Sequence, residues 1–78
     1  MKNVIFYTRK NCLLCEEALE LMETIKKLYP FELVVKDIYE EEIYLEKYHL
    51  MIPVVEIDEH VLYGESLRLD QILIRLKE

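Results

Sequence analysis

Cys12 and Cys15 are the chain's two cysteines, and they fall where an apolar run, Val4-Ile5-Phe6-Tyr7, gives way to a long helix-like run. A strand must therefore turn directly into a helix at Cys12-Leu13-Leu14-Cys15, which limits the folds open to the chain. At such a turn the first sulfur sits at the helix N-terminus, where unpaired backbone N–H groups and the macrodipole favour an anion. That setting lowers a thiol pKa and makes a thiolate nucleophile. The second cysteine lies one helical turn further on the same face, close enough for a disulfide. Cys12 is expected to be the exposed attacking thiol and Cys15 the shielded resolving one.

Apolar periodicity extends this reading along the chain. Residues 3–8 form a continuous apolar strand suited to burial on both faces. A helix is expected over residues 12–29, with Cys15, Ala18, Met22, Ile25 and Tyr29 on its inner stripe and Leu14, Leu21 and Leu28 beside it. Pro30 ends that helix. Phe31-Glu32-Leu33-Val34-Val35 reads as a second strand and residues 40–49 as a short acidic helix, with Ile43, Tyr44, Leu45 and Tyr48 as its apolar members. Residues 53–57 and 60–63 form a hairpin about Asp58-Glu59. Ser66 is the expected N-cap of a last helix whose buried stripe is Leu69, Ile72, Leu73 and Leu76. The order β-α-β-α-β-β-α predicts an α/β fold: a mixed four-stranded sheet, its first two strands parallel through a right-handed crossover, with helices on both faces.

Seventy-eight residues make one domain, residues 1–78, and the 53% hydrophobic content suffices for a small core. Sixteen acidic against ten basic residues leave a net charge of −6, which argues against nucleic acid or an anionic membrane as partner. Met1-Lys2-Asn3 leads into a strand without a signal-like apolar stretch, and nothing reaches transmembrane length. A cytoplasmic monomer is expected. In a reducing compartment a C-x-x-C pair is catalytic or metal-binding rather than a structural staple.

The segment from Tyr7 to Ala18, with Cys12 and Cys15 at its centre, resembles the active-site segment of glutaredoxins and of small glutaredoxin-like proteins. Met51-Ile52-Pro53-Val54-Val55 resembles their loop around a cis-proline, and Leu62-Tyr63-Gly64-Glu65-Ser66 stands where they enter the final helix. The resemblance spans essentially the whole chain and implies the thioredoxin-like fold and dithiol–disulfide oxidoreductase activity. It implies no cofactor beyond the Cys12–Cys15 disulfide itself, with glutathione as a possible co-substrate.

Several positions depart from the glutaredoxin pattern. Leu13-Leu14 stands for the usual Pro-Tyr, Met51-Ile52-Pro53 for Thr-Val-Pro, and Tyr63-Gly64-Glu65-Ser66 for the Gly-Gly-x-Asp turn. The threonine and aspartate that would hold glutathione are absent. Thioredoxins differ too, with a Trp before the first cysteine and a buried acid where this chain has Phe6.

The resemblance implies that Arg9 helps hold glutathione, that the Ile52 backbone beside a cis Pro53 pairs with an extended peptide, and that Gly64 and Ser66 border the bound substrate. Leu13, Leu14, Met51 and Ile52 would make an apolar rim suited to a protein segment. Arg9 and Lys10 favour a thiolate at Cys12, while Glu16 and Glu17 oppose it. The expected partners are a disulfide-containing protein or small thiol, and a flavin-linked disulfide reductase or glutathione as reductant. A metal site is the rival chemistry, but one C-x-x-C supplies two ligands, and His49 and His60 lack ligand spacing. An iron–sulfur cluster would need thiolates from a second chain. A redox-inactive module that recognises peptides beside Pro53 is the rival from another class.

Overall fold

The strand Asn3–Thr8 (β1) alternates sides with every residue, and both of its sides are apolar. Val4 and Phe6 point to one face and Ile5 and Tyr7 to the other, so β1 belongs in the middle of a sheet. A computed structural model, describing residues 2–78, places it there. The sheet order is β2-β1-β3-β4, with β2 Glu32–Asp37, β3 Val54–Ile57 and β4 His60–Tyr63. β2 runs parallel to β1, with Asn3 opposite Glu32 and Thr8 opposite Asp37. β3 pairs antiparallel to β1, and β4 antiparallel to β3.

Helix α1, Leu13–Leu28, provides the crossover from β1 to β2 that their parallel pairing requires. It packs with α3, Leu69–Lys77, on one face of the sheet. There Met22, Ile25 and Ile72 meet Val4, Phe6, Val55, Ile57 and Leu62. The shorter α2, Glu42–Tyr48, covers the other face, where Tyr48 and Ile38 pack against Tyr7 and Val54. The thioredoxin-like architecture expected from the sequence is therefore the one adopted. Among the described residues no helix is long and apolar enough to cross a membrane.

Element edges differ from the sequence reading for identifiable reasons. β2 begins at Glu32 and continues to Asp37, because all six of its residues register with β1. Phe31 lies before the ladder and is buried in the core instead. Ile38–Glu40 close a 3-10 turn whose first residues are capped by the Asp37 carboxylate, which accepts the Tyr39 N–H at 2.9 Å; α2 is thereby delayed to Glu42.

Ser66 is not the cap of the last helix. Its hydroxyl accepts the Tyr63 N–H at 2.9 Å and donates to the Tyr63 carbonyl at 2.7 Å, within a 3-10 turn over Gly64–Ser66. Arg68 is the N-cap of α3. Some expected stripe members stay in solvent: Leu14, Leu28 and Tyr29 on α1, Ile43 on α2 and Leu69 on α3. Each lies at or next to a helix end. The Ile52–Pro53 bond is cis.

Tyr7 links β1 to α2 through stacked rings, with centroids 4.5 Å from Tyr48 and 5.3 Å from Tyr44. Burial, followed by the Glu56 carboxylate and the two neighbouring phenols, pushes its pKa from 10.0 up to about 12. The folded chain thus holds this phenolic proton more tightly than the unfolded chain does. The stability it contributes is complete below pH 10 and is lost as the pH rises toward 12. Urea unfolding across that window should show a fall in midpoint that Tyr7→Phe flattens, relative to its own neutral-pH value. An equally steep fall in the variant would assign the alkaline loss to another group.

Candidate active site

Asn11 adopts a left-handed conformation (φ 56°), which asparagine tolerates better than most residues, and so turns the chain from β1 into α1. Cys12 follows as the N-cap of α1, with extended backbone. Its carbonyl accepts the Glu16 N–H at 3.0 Å, and its sulfur accepts the Cys15 N–H at 3.2 Å. The sulfur thus stands where a serine or aspartate oxygen would normally cap a helix. A donor aimed at Sγ from the positive end of a sixteen-residue helix favours a sulfur anion over a thiol.

Cys12 and Cys15 are joined as a disulfide, their Cα atoms 5.2 Å apart. Cys12 is 8% exposed and Cys15 2%. Both residues are buried, so Cys12 is less open than the sequence reading had it. The reason is local: the sulfur turns inward to meet the Cys15 amide and the partner sulfur. The intervening side chains point the other way, Leu13 being 68% and Leu14 66% exposed.

A groove of about 600 Å³ runs from Leu14 to the cis-proline loop and on to the start of α3. Met51, Ile52 and Pro53 form one wall, Tyr63, Gly64 and Leu67 line its far end, and Ala18, Leu21 and Ile72 lie along it. Gly64 occupies a left-handed position (φ 54°) at this end, a conformation that strains any side chain. Of the residues singled out from sequence, the groove gathers Met51, Ile52, Pro53 and Gly64 beside the intercysteine Leu14.

Others stand apart from it. Leu13 is exposed but is not among the groove's lining residues. Arg9 lines a separate pocket with Ile38, Tyr39, Leu45, Glu46 and His49. Ser66, engaged with the Tyr63 backbone, is not among the lining residues either. The Ile52 N–H, expected to be open to a peptide, donates instead to the Tyr48 carbonyl at 3.2 Å. The turn that ends α2 draws it there, since Met51 N–H bonds the same oxygen at 2.8 Å.

Leu50 and Leu67 are groove residues that sequence reasoning did not select, while Glu17 and Tyr63 enter it there only as a charge opposing the thiolate and as part of the turn before the last helix. Leu50 had a signal: it extends the apolar run Met51-Ile52-Pro53 by one residue, and it is 86% exposed. Among the described residues no three His, Cys, Asp or Glu side chains are grouped to hold a metal ion.

Two measurements check this geometry. With the disulfide reduced, iodoacetamide should label Cys12 faster than Cys15 at neutral pH; the reverse order would invert the roles given by the helix cap. Ser66→Ala should remove two hydrogen bonds to the turn before α3 and destabilise by about 1 kcal/mol, or roughly 4–8 °C in Tm for a chain this small. The alkylation rate of Cys12 should not change. A large loss of thiol reactivity with no loss of stability would place Ser66 in the site after all.

Comparison with known proteins agrees with this structure. No curated protein matches the chain. Protein Ne2328 from Nitrosomonas europaea, solved by NMR, is similar at 27% identity, with a TM-score of 0.76 over 94% of this chain and 88% of that one. Thioredoxin 1 from the thermophile Thermosipho africanus shares the fold at 19% identity, with a TM-score of 0.70 over 96% of this chain and 90% of that one. Residues 3–77 match the glutaredoxin-like domain (DUF836). The chain belongs to that glutaredoxin-like family.

Proposed function

We propose that the protein is a dithiol–disulfide oxidoreductase in which Cys12 attacks and Cys15 resolves. The observation that carries this reading is the Cys12 sulfur capping α1, accepting the Cys15 N–H and bonded to the Cys15 sulfur. In the reduced protein the Cys12 thiolate attacks one sulfur of a substrate disulfide. A mixed disulfide forms and the first substrate thiolate leaves, to be protonated by solvent. The Cys15 thiolate then attacks the Cys12 sulfur, closing the intramolecular disulfide and releasing the second substrate thiolate. Two electrons pass from the dithiol to the substrate. The cycle needs an external dithiol to return them, and operates in a reducing compartment such as the cytoplasm.

The same residues bear on the reductant. Glutathione carries two carboxylates, whereas the groove that starts at the intercysteine Leu14 offers apolar walls and Glu17. Met51 stands where a threonine would donate, and the Ser66 hydroxyl is held by the Tyr63 backbone. Arg9, the cation best placed in sequence to meet a glutathione carboxylate, lines a different pocket. These features support a protein dithiol or a flavin-linked disulfide reductase as electron donor over glutathione. An unpaired polar group carried into such a site costs about 1–3 kcal/mol.

Titration against a glutathione redox buffer should show complete, reversible formation of the Cys12–Cys15 disulfide. Cys12→Ser should abolish disulfide reduction, and Cys15→Ser should accumulate a mixed disulfide visible by mass spectrometry. Failure of the wild-type pair to oxidise reversibly would leave a peptide-binding module without redox function. In a coupled assay on one disulfide substrate, turnover with a reductase should exceed turnover with glutathione. Efficient saturable turnover with micromolar glutathione and none with the reductase would reverse that assignment.

A further inference from the structure

The groove holds one charged side chain, Glu17, among apolar neighbours. Among the described residues its carboxylate forms no ion pair and no side-chain hydrogen bond. The chain around it carries a net charge of −6, so its field attracts cations and repels anions. Leu14 and Leu50 stand exposed at the groove, more apolar surface than an isolated water-facing leucine would leave. A volume of about 600 Å³ falls inside the range of built binding sites.

The main chain supplies little recognition. The Ile52 N–H already donates to Tyr48, so a peptide lying along this loop finds one main-chain partner at Ile52, the carbonyl, instead of two. Side chains must therefore do most of the selecting. We propose that the groove takes an extended segment of a partner protein that is aliphatic beside its half-cystine and carries a Lys or Arg toward Glu17. Its aliphatic side chains rest against Leu14, Leu50 and Met51, and its cation meets Glu17. This inference rests on the dithiol-exchange reading and names the substrate class of that site. The chemistry is the two-step exchange above: the dithiol loses two electrons, and the partner's disulfide gains them and takes up two protons.

The test uses the reduced full chain and a set of peptides of equal length. Each has one cysteine flanked by leucines, held as a mixed disulfide with 2-mercaptoethanol, and Lys, Gln or Glu three residues away. Bis(2-hydroxyethyl) disulfide, small and uncharged, reports the dithiol chemistry alone. Single-turnover rate constants at low ionic strength should rank Lys above Gln above Glu, with a Lys-to-Glu ratio of roughly two- to tenfold. High salt should compress the ratio, and Glu17→Lys should invert it. The ratio is used because it does not depend on any change in Cys12 reactivity caused by the substitution. Leu14→Ser should slow all three peptides relative to the hydroxyethyl disulfide. Equal rates for the three peptides, or a ratio that survives Glu17→Lys, would overturn the proposal while leaving the dithiol chemistry standing. No reaction with the hydroxyethyl disulfide would overturn that chemistry and this proposal together.

Discussion

Burial of β1 on both faces is the constraint from which the rest of the molecule follows. Val4 and Phe6 are removed from water by α1 and α3, and Tyr7 by α2. A strand whose alternate side chains both need cover takes an interior place in the sheet and requires helices on two sides. Parallel pairing with β2 then fixes where α1 starts, since the crossover must leave β1 at Thr8 and return at Glu32. Cys12 is at the head of that crossover because β1 ends four residues earlier. The site is a by-product of how the central strand is desolvated.

Chemistry at the helix start and recognition in the groove are built from different physics. The sulfur of Cys12 is served by a backbone donor and a helix end, polar elements that any sequence in this fold supplies. The groove is lined by side chains, Leu14, Leu50, Met51 and Glu17 among them. Under the proposed function, substitution there would change the partner and leave the exchange step in place. This separation makes membership of the glutaredoxin-like family compatible with the proposed preference for an electron donor other than glutathione.

Hydrogen bonds inside the chain restrict what the site can offer. Ser66 and the Ile52 N–H both looked available for substrate, and both are satisfied internally, by the Tyr63 backbone and the Tyr48 carbonyl. Buried or half-buried polar groups seek such partners because leaving them unmet is unfavourable by about 1–3 kcal/mol. The consequence is a groove lined by apolar side chains and one carboxylate, Glu17.

The amino-acid order by itself determined the β-α-β-α-β-β-α arrangement, the central strand, the cysteine pair at a helix start and the loop around Pro53. All of these are short-range signals: alternation of apolar residues in β1, a three-residue cysteine spacing, a proline after an apolar pair. The delayed start of α2 and the cap of α3 were not legible, because Asp37 and Ser66 each suit more than one local role. Packing and pairing chose among those roles. Only the tertiary structure decided that Leu14, Glu17, Pro53, Tyr63 and Leu67 share one groove while Arg9 faces another pocket. Those residues come from α1, the cis-proline loop, β4 and the turn before α3, and their meeting is set by the crossing of helices over the sheet. No sequence period encodes a distance across that crossing.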